Sequence, residues 1–100
     1  MSSHLESYIE TAVTEYSITK GMNNLKLNVS GRIGWPDRIF LFRSIAFFIE
    51  FKRAGEPPRK AQLYVHGILE AQGFKVYVVD NIPYGKEVID GQVRLSQVRT

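Results

Sequence analysis

Apolar residues recur along this chain in two different periods. Leu5, Ile9, Val13 and Tyr16 stand at helical spacing, with Ala12 on the same face. This predicts an N-terminal helix over Leu5 to Tyr16, capped by Ser2 or Ser3, with Glu6 near its first turn and Lys20-Gly21 as its stop. Glu6 and Glu10, four apart, share one side of that helix beside the apolar stripe. Leu25, Leu27 and Val29 then alternate with Lys26, Asn28 and Ser30, the period of a half-buried strand. Gly31-Arg32-Ile33-Gly34-Trp35-Pro36 reads as a glycine-punctuated loop. Ile39 to Phe42 and Ile45 to Lys52 are two further strands, joined tightly at Arg43-Ser44 but without the Asn-Gly chemistry that favours a two-residue hairpin.

Ala54-Gly55-Glu56-Pro57-Pro58 is a loop, after which the helical period returns from Arg59 to Gln72 with Gly73 as its end. Phe74 to Asp80 is nearly continuous in apolar residues, which predicts a strand buried on both faces. Beyond Pro83 two readings stay open. Glu87 to Val98 fits a short helix interrupted by Gly91, whereas Gln92-Val93-Arg94-Leu95 alternates like a strand. The order is α-β-β-β-α-β plus an uncertain C-terminal element, an α/β fold with a mixed β-sheet flanked by helices.

Composition narrows the picture. One hundred residues make one domain, spanning 1–100, and a domain this small gains from a partner subunit. Hydrophobic residues at 44% and charged residues at 23% describe a globular chain. The absence of cysteine removes disulfides, thiolate zinc sites and a cysteine nucleophile together. The longest apolar run, Ile45 to Ile49, is far short of the roughly 20 residues of a membrane helix. The first residues lack the basic and apolar regions of a signal peptide, so a soluble, cytoplasmic protein with no membrane partner is expected. The net charge of +3 permits a nucleic-acid partner without demanding one. Its distribution says more. Arg32, Arg38, Arg43, Lys52, Arg53, Arg59 and Lys60 all fall between residues 32 and 60.

The hairpin carries the candidate chemistry. With its turn centred between Arg43 and Ser44, Asp37 stands opposite Glu50, both side chains on one sheet face. Lys52 lies two residues on, on that same face, while Phe47, Ile49 and Phe51 point the other way into the core. Directly opposed carboxylates repel, so a purely structural sheet has little reason to pair them. They do suit a hard divalent cation such as Mg²⁺, with lysine orienting a water or stabilising charge on a phosphate. Glu6 or Glu10 could supply a further oxygen ligand from the first helix.

Gly34-Trp35-Pro36-Asp37, a hydrophobic strand and Glu50-Phe51-Lys52 resemble the PD-(D/E)XK nuclease signature. More narrowly, the chain resembles a stand-alone VRR-NUC domain, the virus-type replication-repair nuclease module. An early glutamate before Ile9 and Gly21, a Gly-x-x-Gly-x-Pro-Asp loop over Gly31 to Asp37, and Gln62 followed by Leu69, Gly73 and Val76 to Val79 extend the match to about Asp80. The resemblance implies a restriction-endonuclease-like core and divalent-metal-dependent DNA cleavage, with Mg²⁺ or Mn²⁺ as cofactor. By position Asp37 and Glu50 would be metal ligands, Lys52 the catalytic lysine and Gln62 a supporting helix residue. Glu6 matches the family's helix glutamate better by its distance from Gly21, with Glu10 one turn away. Small stand-alone members, often from phages, resemble Holliday-junction resolvases acting as homodimers, and a four-way junction shares that two-fold symmetry.

Each motif also has a plainer reading. Pro36-Asp37 alone starts a strand after a turn, Glu-x-Lys alone is a solvated strand face, and paired glutamates favour a helix start. Arg32, Arg38, Arg53, Arg59 and Lys60 form either a phosphate-binding rim or scattered solvated charge. Trp35 either stacks on a branched substrate or packs in a dimer interface. His66, one turn from Gln62, either approaches the site or is an ordinary packed histidine.

Overall fold

The computed structural model describes residues 2–98, and side chains from Leu5 onward, so a capping role for Ser2 or Ser3 lies outside the described side chains. Helix α1 (Ser2–Thr19) precedes strands β1 (Asn23–Lys26), β2 (Arg38–Phe42) and β3 (Ile45–Phe51). Helix α2 (Lys60–Ala71), strand β4 (Lys75–Val79) and helix α3 (Ile82–Val98) follow. The sheet order is β1-β2-β3-β4, antiparallel through β3 and then parallel between β3 and β4, with α2 as the crossover.

The β2–β3 register pairs Phe42 with Ile45 and Arg38 with Ile49, as a two-residue turn at Arg43-Ser44 requires. Both turn residues take positive φ, 48° and 70°, the left-handed backbone of the primed hairpin turns. The twist of the paired strands selects this turn despite its unfavourable residues. Alternation then divides β3. Phe47, Ile49 and Phe51 enter a main core with Phe40, Val79, Val13 and Ile89, under α1 and α3. Phe48 enters a smaller core with Val65 and Leu69 of α2. β4 is shared likewise, Tyr77 and Val79 facing the main core and Val76 the smaller one, so its apolar run does serve two faces.

Two expectations need correction. The strand read over Leu25 to Val29 is shifted: β1 ends at Lys26, and of the alternating residues Leu25 is exposed while Leu27 packs on the smaller core. The ambiguous tail is one helix, not a strand, and it begins at Ile82 rather than Glu87. The Asn81 carboxamide oxygen accepts from the Tyr84 N–H at 2.8 Å, a helix N-cap, and Pro83 sits in the first turn where no N–H is needed. Val88, Ile89 and Gln92 are then buried at helical spacing, while Gly85 lies directly on Val13, where a methyl group would collide. No helix among the described residues is long and apolar enough to cross a membrane.

Candidate active site

On the α2 side of the sheet, β3 changes character past Phe48. Glu50 is only 3% exposed and Lys52 only 5%, although both are charged residue types. α2 closes over them, and Gln62 and His66, one turn apart on its inner face, are buried too. Gln62 makes two bonds with opposite ends of its carboxamide. Its Oε1 accepts from the Arg59 N–H at 2.7 Å, capping the start of α2, and its Nε2 donates to Glu50 Oε2 at 2.7 Å. The cap therefore fixes which end of the amide meets the carboxylate.

The other Glu50 oxygen is different. Oε1 is buried without a hydrogen-bond partner, and so is His66 Nε2, which lies 3.6 Å away. Burial, reinforced by the Asp37 carboxylate, pushes the Glu50 carboxyl up to about 8, against the pull of Lys52 and Arg59. Burial lowers His66 from its ordinary value, favouring the neutral imidazole. Among the described residues the Lys52 ammonium has no hydrogen-bond partner, while its charge acts on Glu50, Asp37 and Glu6.

Asp37 stands one residue before β2. Its Oδ2 accepts from the Phe51 N–H at 2.7 Å, supplying an acceptor where the β2–β3 ladder has ended. Burial raises its carboxyl above the usual range, and the Phe51 bond offsets part of that rise. The two glutamates of α1 part company. Glu6 is partly buried and raised, first by desolvation and then by Asp37, which places it in the field of the site. Glu10 is engaged elsewhere: its Oε2 accepts from Arg38 Nε at 2.6 Å and Lys26 Nζ at 3.1 Å. Of the two alternatives left open by the sequence, Glu6 is the one with an uncommitted carboxylate.

The proposed basic rim divides in the same way. Arg38 is bound to Glu10 and, through Nη1, to Asn24 Oδ1 at 2.8 Å, so it is no free phosphate contact. Arg32, Arg53, Arg59 and Lys60 are exposed, and Trp35 is half-buried against the smaller core. Sequence reasoning gave no role to Ile33 and Tyr64, which line an open cleft of about 550 Å³ with Trp35 between the glycine loop and α2. Tyr64 lies three residues after Ala61, and that spacing was the available signal.

The donor set is hard oxygen: Asp37, Glu50 and Glu6, whose carboxyls are all raised first by burial, with the Asp37 charge adding to the rise at Glu50 and Glu6. A buried acceptor without a partner inside such a cluster fits a divalent cation that keeps several of its own waters. Against that, no three His, Cys, Asp or Glu side chains among the described residues stand together as a ready-made metal cage.

A solved structure described as a VRR_NUC domain matches this fold with a TM-score of 0.80 and 27% sequence identity, over 86% of this chain and 95% of that chain. The chain resembles the VRR-NUC family in fold and, at this identity, in sequence. No family model and no curated protein matches it by sequence. Likeness to a VRR-NUC domain supports nuclease activity in general, with DNA as the polymer bound. A four-stranded mixed sheet flanked by helices is the fold shared with that neighbour.

Proposed function

We propose that the chain is a divalent-metal-dependent, structure-selective DNA endonuclease that resolves four-way junctions as a homodimer in the cytoplasm. The observation that carries this reading is the burial of Glu50 and Lys52 beside Asp37 on one sheet face, with one Glu50 oxygen left unpartnered. A fold gains no stability from collecting charge there, because desolvation works against each group. Function is the better account.

Asp37, Glu50 and Glu6 would hold Mg²⁺ or Mn²⁺. When bound, the ion supplies Lewis-acid polarisation of a phosphoryl oxygen and a more acidic water. The chain's own groups do the rest. Phe51 and Gln62 orient the carboxylates through the bonds described above. Lys52 holds a cation where charge develops on the phosphate, and α2 excludes water from Glu50. Arg32, Arg53, Arg59 and Lys60 lie exposed and can contact phosphates without reading bases.

One observation favours a second reading, a non-catalytic branched-DNA-binding module with the same fold: the described side chains lack a three-ligand cage. End-labelled four-way junction and matched linear duplex, incubated with Mg²⁺, Mn²⁺ or chelator, separate the two. Paired metal-dependent nicks near the junction centre, lost in Lys52→Ala, are expected. Binding without cleavage under every metal condition overturns the endonuclease reading in favour of the module.

A further inference from the structure

The cleft between the glycine loop and α2 has no part in the chemistry above. Its lining is Ile33, Trp35, Ala61, Tyr64, Val65 and Ile68, with Arg32 and Lys60 at its edge. The volume of about 550 Å³ falls within the range of small-ligand clefts, about 300–1,000 Å³. Ile33 is 81% exposed and Tyr64 73%, which is unusual for apolar residues that line one cavity. The wall is fixed. Gly34 has φ +90° and lies so close to Ala61 that a methyl group would overlap the Ala61 carbonyl and crowd Val65. Trp35 is therefore held on α2, two residues before Asp37, while Ala61 on the opposite wall adjoins Gln62.

We propose that this cleft is a nucleobase-binding subsite that seats an unpaired base of branched or single-stranded DNA next to the cleavage site. It rests on the nuclease reading for its substrate and adds to that reading a preference for unpaired DNA. Aromatic side chains offer stacking surfaces, apolar walls desolvate a ring, and the two edge cations suit the flanking phosphates. Among the described residues, no acidic side chain lines the cleft. A second copy of the chain is the poorer occupant, because an isologous interface brings Arg32 and Lys60 from both subunits to the same seam. A polyanion meets those cations with the opposite sign.

Trp35 is the one tryptophan in the chain, so its fluorescence reports on this cleft directly. The full chain is titrated in chelator, where no cleavage occurs, with single-stranded, forked and fully paired oligonucleotides. Quenching by the first two and not by the paired duplex is expected. Tyr64→Ala should weaken binding of the unpaired substrates roughly 5- to 100-fold, with paired-duplex binding unchanged. Tyr64→Phe should restore it, and Leu63→Ala, exposed on the same helix outside the cleft, should leave it unaltered. Equal quenching by paired duplex, an equal loss in Leu63→Ala, or fluorescence that changes with protein concentration in the absence of DNA would each overturn the subsite, the last in favour of self-association. Metal-dependent cleavage without quenching sinks the subsite alone. Quenching without cleavage under any metal condition sinks the endonuclease alone.

Discussion

The two faces of the sheet are built from one set of strands and do opposite things. The face under α1 and α3 is dry: Phe40, Phe47, Ile49, Phe51, Val13, Val79 and Ile89 are fully buried there, with Phe40 and Phe47 stacked at 5.1 Å between ring centroids. Among the described residues, the face under α2 has only Phe48, Val65 and Leu69 as its buried apolar cluster, then Glu50, Lys52, Gln62 and His66 at similar depth. One face stabilises the fold through area removed from water. The other gives part of that stability up to hold charge out of water. A substitution should thus report which face it strikes by whether stability or cleavage changes.

The sharpest test pairs one residue from each face. Phe47→Ala should cost about 3–5 kcal/mol, read as a shift in urea midpoint with cleavage per folded molecule unchanged. Lys52→Ala should leave the midpoint within about 1 kcal/mol and lower cleavage by roughly 10²–10³-fold or more. A Lys52→Ala variant that unfolds, or that still cuts, would erase the division of labour.

A second test asks whether the α2 face is truly uphill. Glu50 has a folded pKa of about 8 against an ordinary 4.5, so the folded state holds a proton that the unfolded chain releases. That contribution is fully present below about pH 4.5 and is lost as pH rises to 8. Metal-free protein should therefore lose stability over that interval, by on the order of 5 kcal/mol from this group. Glu50→Gln keeps an amide in place of the carboxyl, so it should flatten the slope and melt higher than wild type at pH 8.5 while abolishing cleavage. A wild-type melting temperature flat across this window would place Glu50 in a far more solvated setting than its burial indicates.

Legibility followed the same division. The dry face could be read because alternation in Ile45 to Phe51 and the helical stripe of Val13 state which side chains face inward. Asp37 opposite Glu50 could be read too, since a two-residue turn fixes all pairings of a hairpin at once. The pairing of Glu10 with Arg38 and Lys26 joins an N-terminal helix to two strands, and no local period encodes it. The same holds for His66 against Glu50, where helix and strand meet only after the crossover is formed. The last helix was hidden because Gly85 and Gly91 weaken its propensity. Gly85 is required by contact with Val13, a tertiary demand invisible in the pattern.

Gly34 links the two functions of the α2 face, since it seats the loop that carries both Trp35 and Asp37. Gly34→Ala adds a methyl group against the Ala61 carbonyl at a φ of +90°. Strain of about 1–3 kcal/mol is expected, and the loop must lift from α2 to relieve it. Cleavage and Trp35 fluorescence should then change together. If only stability falls, the loop keeps its seat and the strain is absorbed elsewhere.

The smallest expected effect lies at the far end of the hairpin, where neither face is disturbed. Arg43 and Ser44 both hold left-handed backbone that a primed turn prefers to fill with Asn and Gly. Replacing them by Asn-Gly should stabilise the fold by about 1 kcal/mol, measurable as a higher urea midpoint. Asp37 and Glu50 sit at the opposite end of the same two strands, and their pairing depends on the register that this turn sets. Cleavage should accordingly stay constant while stability rises. Loss of activity in a more stable hairpin would mean that the native turn, strained as it is, holds the carboxylates at a spacing the relaxed turn does not.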